Sequence, residues 1–222
     1  MQVDLVIFDC DGVVADSEIL SAQVLIEQLA AEGIGLTFED VRRDFLGRSF
    51  PTVADTIRRR HDRALPPEFE ASYRARLLTL FETQLRPTPG FAQMIAALDR
   101  PVCVATSSSR PRVTRTLEII GLTRFFGDGV FTASQVTHGK PAPDLFLYAA
   151  TQMGADPAAC LVIEDSPPGL QAAAAAGMRR LHYTGGSHLS DGRISPATTE
   201  SFDNWDDFAH LLKGVEEDEA AP

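Results

Sequence analysis

Basic residues are scarce in this chain. Lys and Arg number 20 against 31 Asp and Glu in 222 residues, a formal net charge of −11. Nucleic acid needs a positive footprint, and an anionic membrane surface repels such a protein, so neither partner is expected. Cysteine is also sparse. Cys10, Cys103 and Cys160 have no metal-ligand spacing, and an odd count suits a reducing compartment. Each lies in or beside an apolar run, the place of a small buried hydrophobe. No stretch is long enough to span a bilayer, and no basic region followed by a signal-length apolar run opens the chain. A soluble cytoplasmic protein is expected, as a monomer or weak homodimer.

What is present is a core-forming composition, 44% hydrophobic. Short apolar runs bounded by turn signals recur at 3–8, 101–105, 129–132, 160–164 and 178–183. Helix-length segments separate the later ones. Residues 111–120 begin with Pro111 and stop at Gly121; 143–153 stop at Gly154. Residues 167–176 end at Gly177, and their alanines allow close approach to a sheet. Such alternation predicts an α/β protein with a three-layer, Rossmann-like parallel sheet. The span 17–85 differs. It reads as helical throughout, with Leu20, Val24 and Leu29 on one face, a capping box at Thr37–Asp40 and a longer helix at 67–85. A helical cap is therefore expected over 17–85, inserted into a core of 1–16 and 86–222, with hinges near 14–17 and 86–90. Trp205 and Phe208 are expected to pin a last amphipathic helix, and 215–222 to form a disordered acidic tail.

The first run ends in FDCDGVVADSE, two aspartates and a glycine where a buried strand stops. Packing supplies no motive, because a desolvated carboxylate is costly without a cation or donors. In open α/β sheets ligands gather beyond the carboxyl ends of strands. This chain places there Asp9, Asp11 and Gly12; then Thr106 and Ser107–Ser109; then Lys140 in GKPAPD; then Glu164 and Asp165 in IEDS. Carboxylates converging on one crevice imply a divalent cation, and oxygen ligands suit Mg²⁺, with Asp9, Asp11, Glu164 and Asp165 as the candidate ligands. Hydroxyls, backbone amides and a lysine suit phosphate. Such a set permits phosphoryl transfer, with one aspartate as nucleophile and another as acid and base.

In these four segments the chain resembles the haloacid dehalogenase superfamily, in the branch of β-phosphoglucomutase-like and phosphoglycolate-phosphatase-like enzymes. The likeness runs from about residue 3 to 184. It implies Asp9 as nucleophile forming an aspartyl-phosphate, and Asp11 as acid and base whose backbone carbonyl also ligates Mg²⁺. It implies Ser107 and Lys140 holding the phosphoryl group, Asp165 ligating the metal with Glu164 close by, and the helical cap closing over the site. Gly12 and Ser108 are candidate substrate contacts beside them. Arg48 and Arg110 are candidates for the substrate's distal part or its phosphate. Asp16, Ser17 and Glu18 read as the cap of the first inserted helix, and Ser109 as that of the helix after Pro111. His138 and His188 read as solvated loop residues, and 184–188 as a loop at the site rim.

A dehalogenase of this superfamily lacks the second aspartate, so Asp11 argues against one. A β-phosphoglucomutase would carry a histidine where Ser21 stands and an arginine where Phe50 stands, although Arg48 is close. The reading is therefore an Mg²⁺-dependent phosphatase acting on a small phosphomonoester, a sugar phosphate or a sugar-acid phosphate such as 6-phosphogluconate. The alternatives are a phosphosugar mutase and, more remotely, a non-catalytic phosphoacceptor module. Receivers of that last kind are shorter, lack an inserted cap and do not carry the nucleophile on the first strand.

Overall fold

The structure, a computed structural model, describes residues 2–45, 47–189 and 199–217. Six parallel strands form one sheet in the order β3-β2-β1-β4-β5-β6. They are β1 (Leu5–Phe8), β2 (Val102–Thr106), β3 (Val130–Thr132), β4 (Cys160–Glu164), β5 (Arg179–Tyr183) and β6 (Ser201–Phe202). The five apolar runs supply β1 to β5 within a residue or two. β6 is a two-residue edge strand with too little pattern to be read beforehand.

Alternation along β1 makes the layers. Val6 and Phe8 pack with Val104, Leu161 and Ile163 under α5 (Phe91–Ala97), α6 (Arg110–Ile119), the short α7 (Thr123–Phe126) and α10 (Phe208–Glu217). Leu5 and Ile7 face the other way, with Cys103 and Val162, under α8 (Asp144–Met153) and α9 (Pro167–Ala175). Ala172 and Ala173 are fully buried there, as the alanine run predicts. Phe8 sits in an aromatic group with Phe91 at 5.3 Å and Trp205 at 6.0 Å between ring centroids. Trp205 also stacks on Tyr183 at 4.5 Å, which confirms its anchoring role. Truncating a ring in such a place costs about 3–5 kcal/mol. The three cysteines are buried and unpaired.

Between β1 and β2 lie α1 (Glu18–Ala31), α2 (Phe38–Asp44), α3 (Phe50–His61) and α4 (Phe69–Gln84). Their apolar faces meet in a third cluster, with Leu29, Ile57, Leu77 and Phe81 at its centre. The expected capping box on α2 is present, Thr37 and Asp40 bonding each other's backbone amides. The two chain crossings lie side by side. Asp16 N donates to Arg86 O and Thr88 N to Val14 O, at 3.0 and 3.1 Å. Thr88 Oγ1 donates to Val13 O at 2.5 Å and accepts from Trp205 Nε1 at 3.0 Å.

The C-terminal tail expected to begin at 215 is a correction in part. Residues 215–217 complete α10, because Val215 packs on the core and Glu216 accepts from Val3 N at 2.9 Å. Residues 218–222 fall outside the described residues, as do 190–198 of the segment after the rim loop. No described helix is long and apolar enough to cross a membrane.

Candidate active site

The chain runs from β1 outward to β2 and β3, then returns to lay β4, β5 and β6 on the other side. The crevice between the ends of β1 and β4 is thus the switch point where parallel sheets bind ligands. Asp9 follows β1, and Asp165 follows β4. Both are buried. Lys140 reaches the same place from the loop before α8. Its ammonium donates to Asp9 Oδ1 at 2.5 Å, Glu164 Oε1 at 2.6 Å and Ala105 O at 2.9 Å, so all three of its donors are used. Burial disfavours the ammonium, but Asp9 and Glu164 outweigh it and hold Lys140 above its usual range.

Glu164 is more committed than a metal ligand. Its Oε2 accepts from Asp165 N, Ser166 N and Ser166 Oγ, each at 2.9 Å. Gly169 at the start of α9 makes this close packing feasible, since a Cβ there would lie 1.8 Å from Glu164 Oε1. Glu164 is thereby the fixed partner of Lys140, and its place in the expected metal set is narrowed accordingly.

Asp11 is held by its side chain through Ser17 Oγ at 2.6 Å, Ser108 Oγ at 2.6 Å and Arg112 Nη2 at 2.6 Å. Burial pushes this carboxyl up, but Arg112 and the two hydroxyls prevail and hold it below the ordinary range. The hydroxyl of Ser17 therefore serves Asp11 and does not cap α1. Asp16 accepts instead from Ser187 N and Oγ at 3.1 and 2.7 Å. Glu18 is buried at the head of α1, and burial, followed by Asp11, pushes its carboxyl up to about 8.

Ser107 donates to Gly47 O at 3.1 Å, joining the loop after β2 to the helical insertion. Ser109 heads α6 without a side-chain cap bond and is bonded by Arg74 of α4. A cavity of about 80 Å³ lies between these parts, lined by Asp9, Asp11, Glu18, Ser21 and Arg112 among others. Arg48 is exposed at its mouth, and Phe50 lines it while packing on Tyr73. Arg110 is exposed and outside the lining. Two residues of α6 turn the helix by about 200°, so Arg112 faces the cavity in its place. Sequence reasoning missed Arg112; the helical phase set by buried Val113 and Leu117 was the available signal.

His188 is a second correction. It is buried, with Nε2 2.9 Å from Asp165 Oδ2, and burial lowers its pKa. His138 is exposed as expected and meets Asp144 at 3.2 Å. The loop 184–188 does stand at the rim, packed on the first motif: a Cβ on Gly186 would lie 2.8 Å from Gly12 O. Gly12 itself has φ +86°, and a Cβ there would lie 1.9 Å from Asp165 Oδ2. Only glycine combines that backbone with so close a carboxylate.

The charges at the switch point do not balance within the protein. Asp9, Glu164 and Asp165 are three buried carboxylates, and Lys140 can offset one. Burial first, and then Glu164, pushes Asp165 up; burial first, and the surrounding acids Glu164, Asp165 and Asp11, push Asp9 up against Lys140. A divalent cation would remove this imbalance, and oxygen donors of this kind suit Mg²⁺. Among the described residues no group of three or more His, Cys, Asp or Glu side chains is placed to hold a metal alone.

The chain matches the family model for haloacid dehalogenase-like hydrolases over residues 3–177. It is 27% identical to the 6-phosphogluconate phosphatase of Escherichia coli over 84% of this chain and 85% of that protein. It is 32% identical to the E. coli fructose-1-phosphate phosphatase YqaB over 78% of this chain and 92% of that one. Among solved structures, a haloacid dehalogenase family hydrolase from Deinococcus radiodurans with bound phosphate and sodium is 31% identical, covers 96% of each chain and superposes with a TM-score of 0.70. Motif order, strand order and the family match agree, and the chain belongs to the haloacid dehalogenase-like hydrolases.

Proposed function

We propose that this protein is an Mg²⁺-dependent phosphatase of small phosphomonoesters, sugar phosphates or sugar-acid phosphates, working through an aspartyl-phosphate on Asp9. The carrying observation is the seat of Asp9, where Lys140 binds one carboxylate oxygen at 2.5 Å. The second oxygen is left to attack phosphorus. Lys140, its three donors engaged, would offset the phosphoryl charge from where it stands, and the Ser107 hydroxyl would turn from Gly47 O to a phosphoryl oxygen. Asp11, held ionised by Arg112 and two hydroxyls, would take up a proton from solvent as substrate binds and pass it to the departing alkoxide. Water, relieved of a proton by Asp11, then attacks phosphorus and frees Asp9 as orthophosphate leaves.

Asp9 and Asp165, with the backbone carbonyl of Asp11, are the residues that would hold Mg²⁺. Bound there, the ion would offset phosphoryl and carboxylate charge. Residues 17–85 act in this reading as the cap that would shut out bulk water over bound substrate, and the Ser107–Gly47 contact marks where it meets the core before substrate arrives. Ser21 in the cavity, in place of a histidine, supports hydrolysis over mutase chemistry. The phosphatase names of the two E. coli relatives support the substrate class.

The test is phosphate release from a panel of sugar phosphates, phospho-acids and an aryl phosphate, with and without Mg²⁺. Release from at least one of them, dependent on Mg²⁺, is expected. No release from any would overturn the reading.

A further inference from the structure

One largely buried cation in the cavity, its side chain 15% exposed, is left without full use by the reaction just described. The guanidinium of Arg112 lies over the Phe81 ring at 5.7 Å and spends one nitrogen, Nη2, on Asp11 at 2.6 Å and Ser21 Oγ at 3.0 Å. Its Nε is buried and has no hydrogen-bond partner. A buried donor without an acceptor carries a desolvation cost that an acceptor oxygen brought within its reach would remove.

The other half of the pair points the same way. Both oxygens of Asp11 are occupied, one by Ser17 and Arg112 and one by Ser108. Oδ2 keeps one position for a leaving oxygen, but at Oδ1 Asp11 can receive one only by giving up Ser17 or Arg112. If it gives up Arg112, a buried guanidinium loses its counter-ion, which is unfavourable unless another anion takes the place.

Resting on the phosphatase reading, we infer that Arg112 forms a carboxylate subsite, so that the substrates favoured are phosphomonoesters of sugar acids. A single guanidinium presents a planar fork that matches a carboxylate and balances one negative charge. A second phosphate would bring more charge than Arg112 can meet. Of the other arginines in the lining, Arg74 is paired with Glu70 and bonded to Ser109, and Arg48 is exposed at the mouth. The carboxyl of Glu18 offers hydrogen bonds to neighbouring sugar hydroxyls, while Ser21, which gives its proton to Ser17 O at 2.9 Å, holds the Arg112 guanidinium, and Leu25 and Phe45 give an apolar wall.

An aldonic acid 6-phosphate and the corresponding hexitol 6-phosphate test this, since they differ only in the carboxylate or hydroxymethyl group at C1. The ratio of kcat/KM for acid over hexitol is measured in the parent, in Arg112→Met and in Arg112→Lys, which keeps the charge should the methionine variant not fold. Any loss that both substrates share through Asp11 cancels in this ratio. The parent is expected to favour the acid, and each folded variant to lose at least tenfold of that ratio, about 1.4 kcal/mol. A parent without preference for the acid, or a smaller fall, overturns the subsite while leaving the phosphatase reading intact. A parent that hydrolyses neither compound nor an aryl phosphate overturns the reading beneath it.

Discussion

Lys140 and Glu164 meet at 2.6 Å with both side chains only 1% exposed, and the same ammonium turns to Asp9 on its other side. The pair binds the loop before α8 to the end of β4 and to the candidate nucleophile. Replacing Lys140 by Met removes that counter-charge and leaves two buried carboxylates opposed to each other. A stability loss of about 3–5 kcal/mol at neutral pH is expected, together with loss of phosphate release. Urea unfolding of Lys140→Met checks the first. Stability equal to the parent would show that Lys140 does not bind these parts together.

Asp9→Asn keeps the shape of the side chain and an oxygen for Lys140, and removes the carboxylate proposed as nucleophile. Phosphate release should fall by about three orders of magnitude or more, with an unfolding midpoint no lower than the parent's. Substantial turnover by this variant would remove Asp9 from the role of nucleophile.

Chelation tests the charge argument at the switch point. EDTA should silence phosphate release and added Mg²⁺ restore it. Because an ion bound only by the folded protein stabilises it, Mg²⁺ should also raise the thermal midpoint, by an amount that grows with its concentration. Asp165→Asn should lose that rise. A midpoint shift that persists in this variant would place the ion elsewhere.

Glu18 gives a pH dependence of stability. Burial pushes its carboxyl from 4.5 to about 8 in the folded protein. Between those values the unfolded chain has released the proton and the folded one retains it, so stability falls as pH rises through this window. Each unit is worth about 1.4 kcal/mol, so the whole effect is on the order of a few kcal/mol. Glu18→Gln should flatten the decline, matching the parent near pH 4.5 and exceeding it near pH 8.5. Parallel curves for the two proteins would show that Glu18 is not buried in its neutral form.

Much of the site could be read from the chain because its parts are local. Asp9 and Asp11 follow an apolar run that ends in glycine, and Glu164 and Asp165 follow another, so strand ends and acidic motifs coincide in one dimension. The parallel sheet, the helical insertion and the position of Lys140 follow from the same punctuation. Lys140 and Lys213 are the chain's lysines, a scarcity that offers a further signal in the sequence.

Which chemical groups arrive at the ends of the strands is written in the order of the residues, because strand period, turn residues and helix stops are properties of neighbours along the chain. How those groups pair is settled by folding. Glu164 serves Lys140, Ser17 bonds Asp11 and leaves α1 uncapped, His188 is buried on Asp165, and Arg112 occupies the place expected of Arg110. Each of these depends on contacts between distant segments or on the rotational phase of a packed helix. Burial sets both, since it makes every unpaired charge costly and so selects the one arrangement in which the most partners are met.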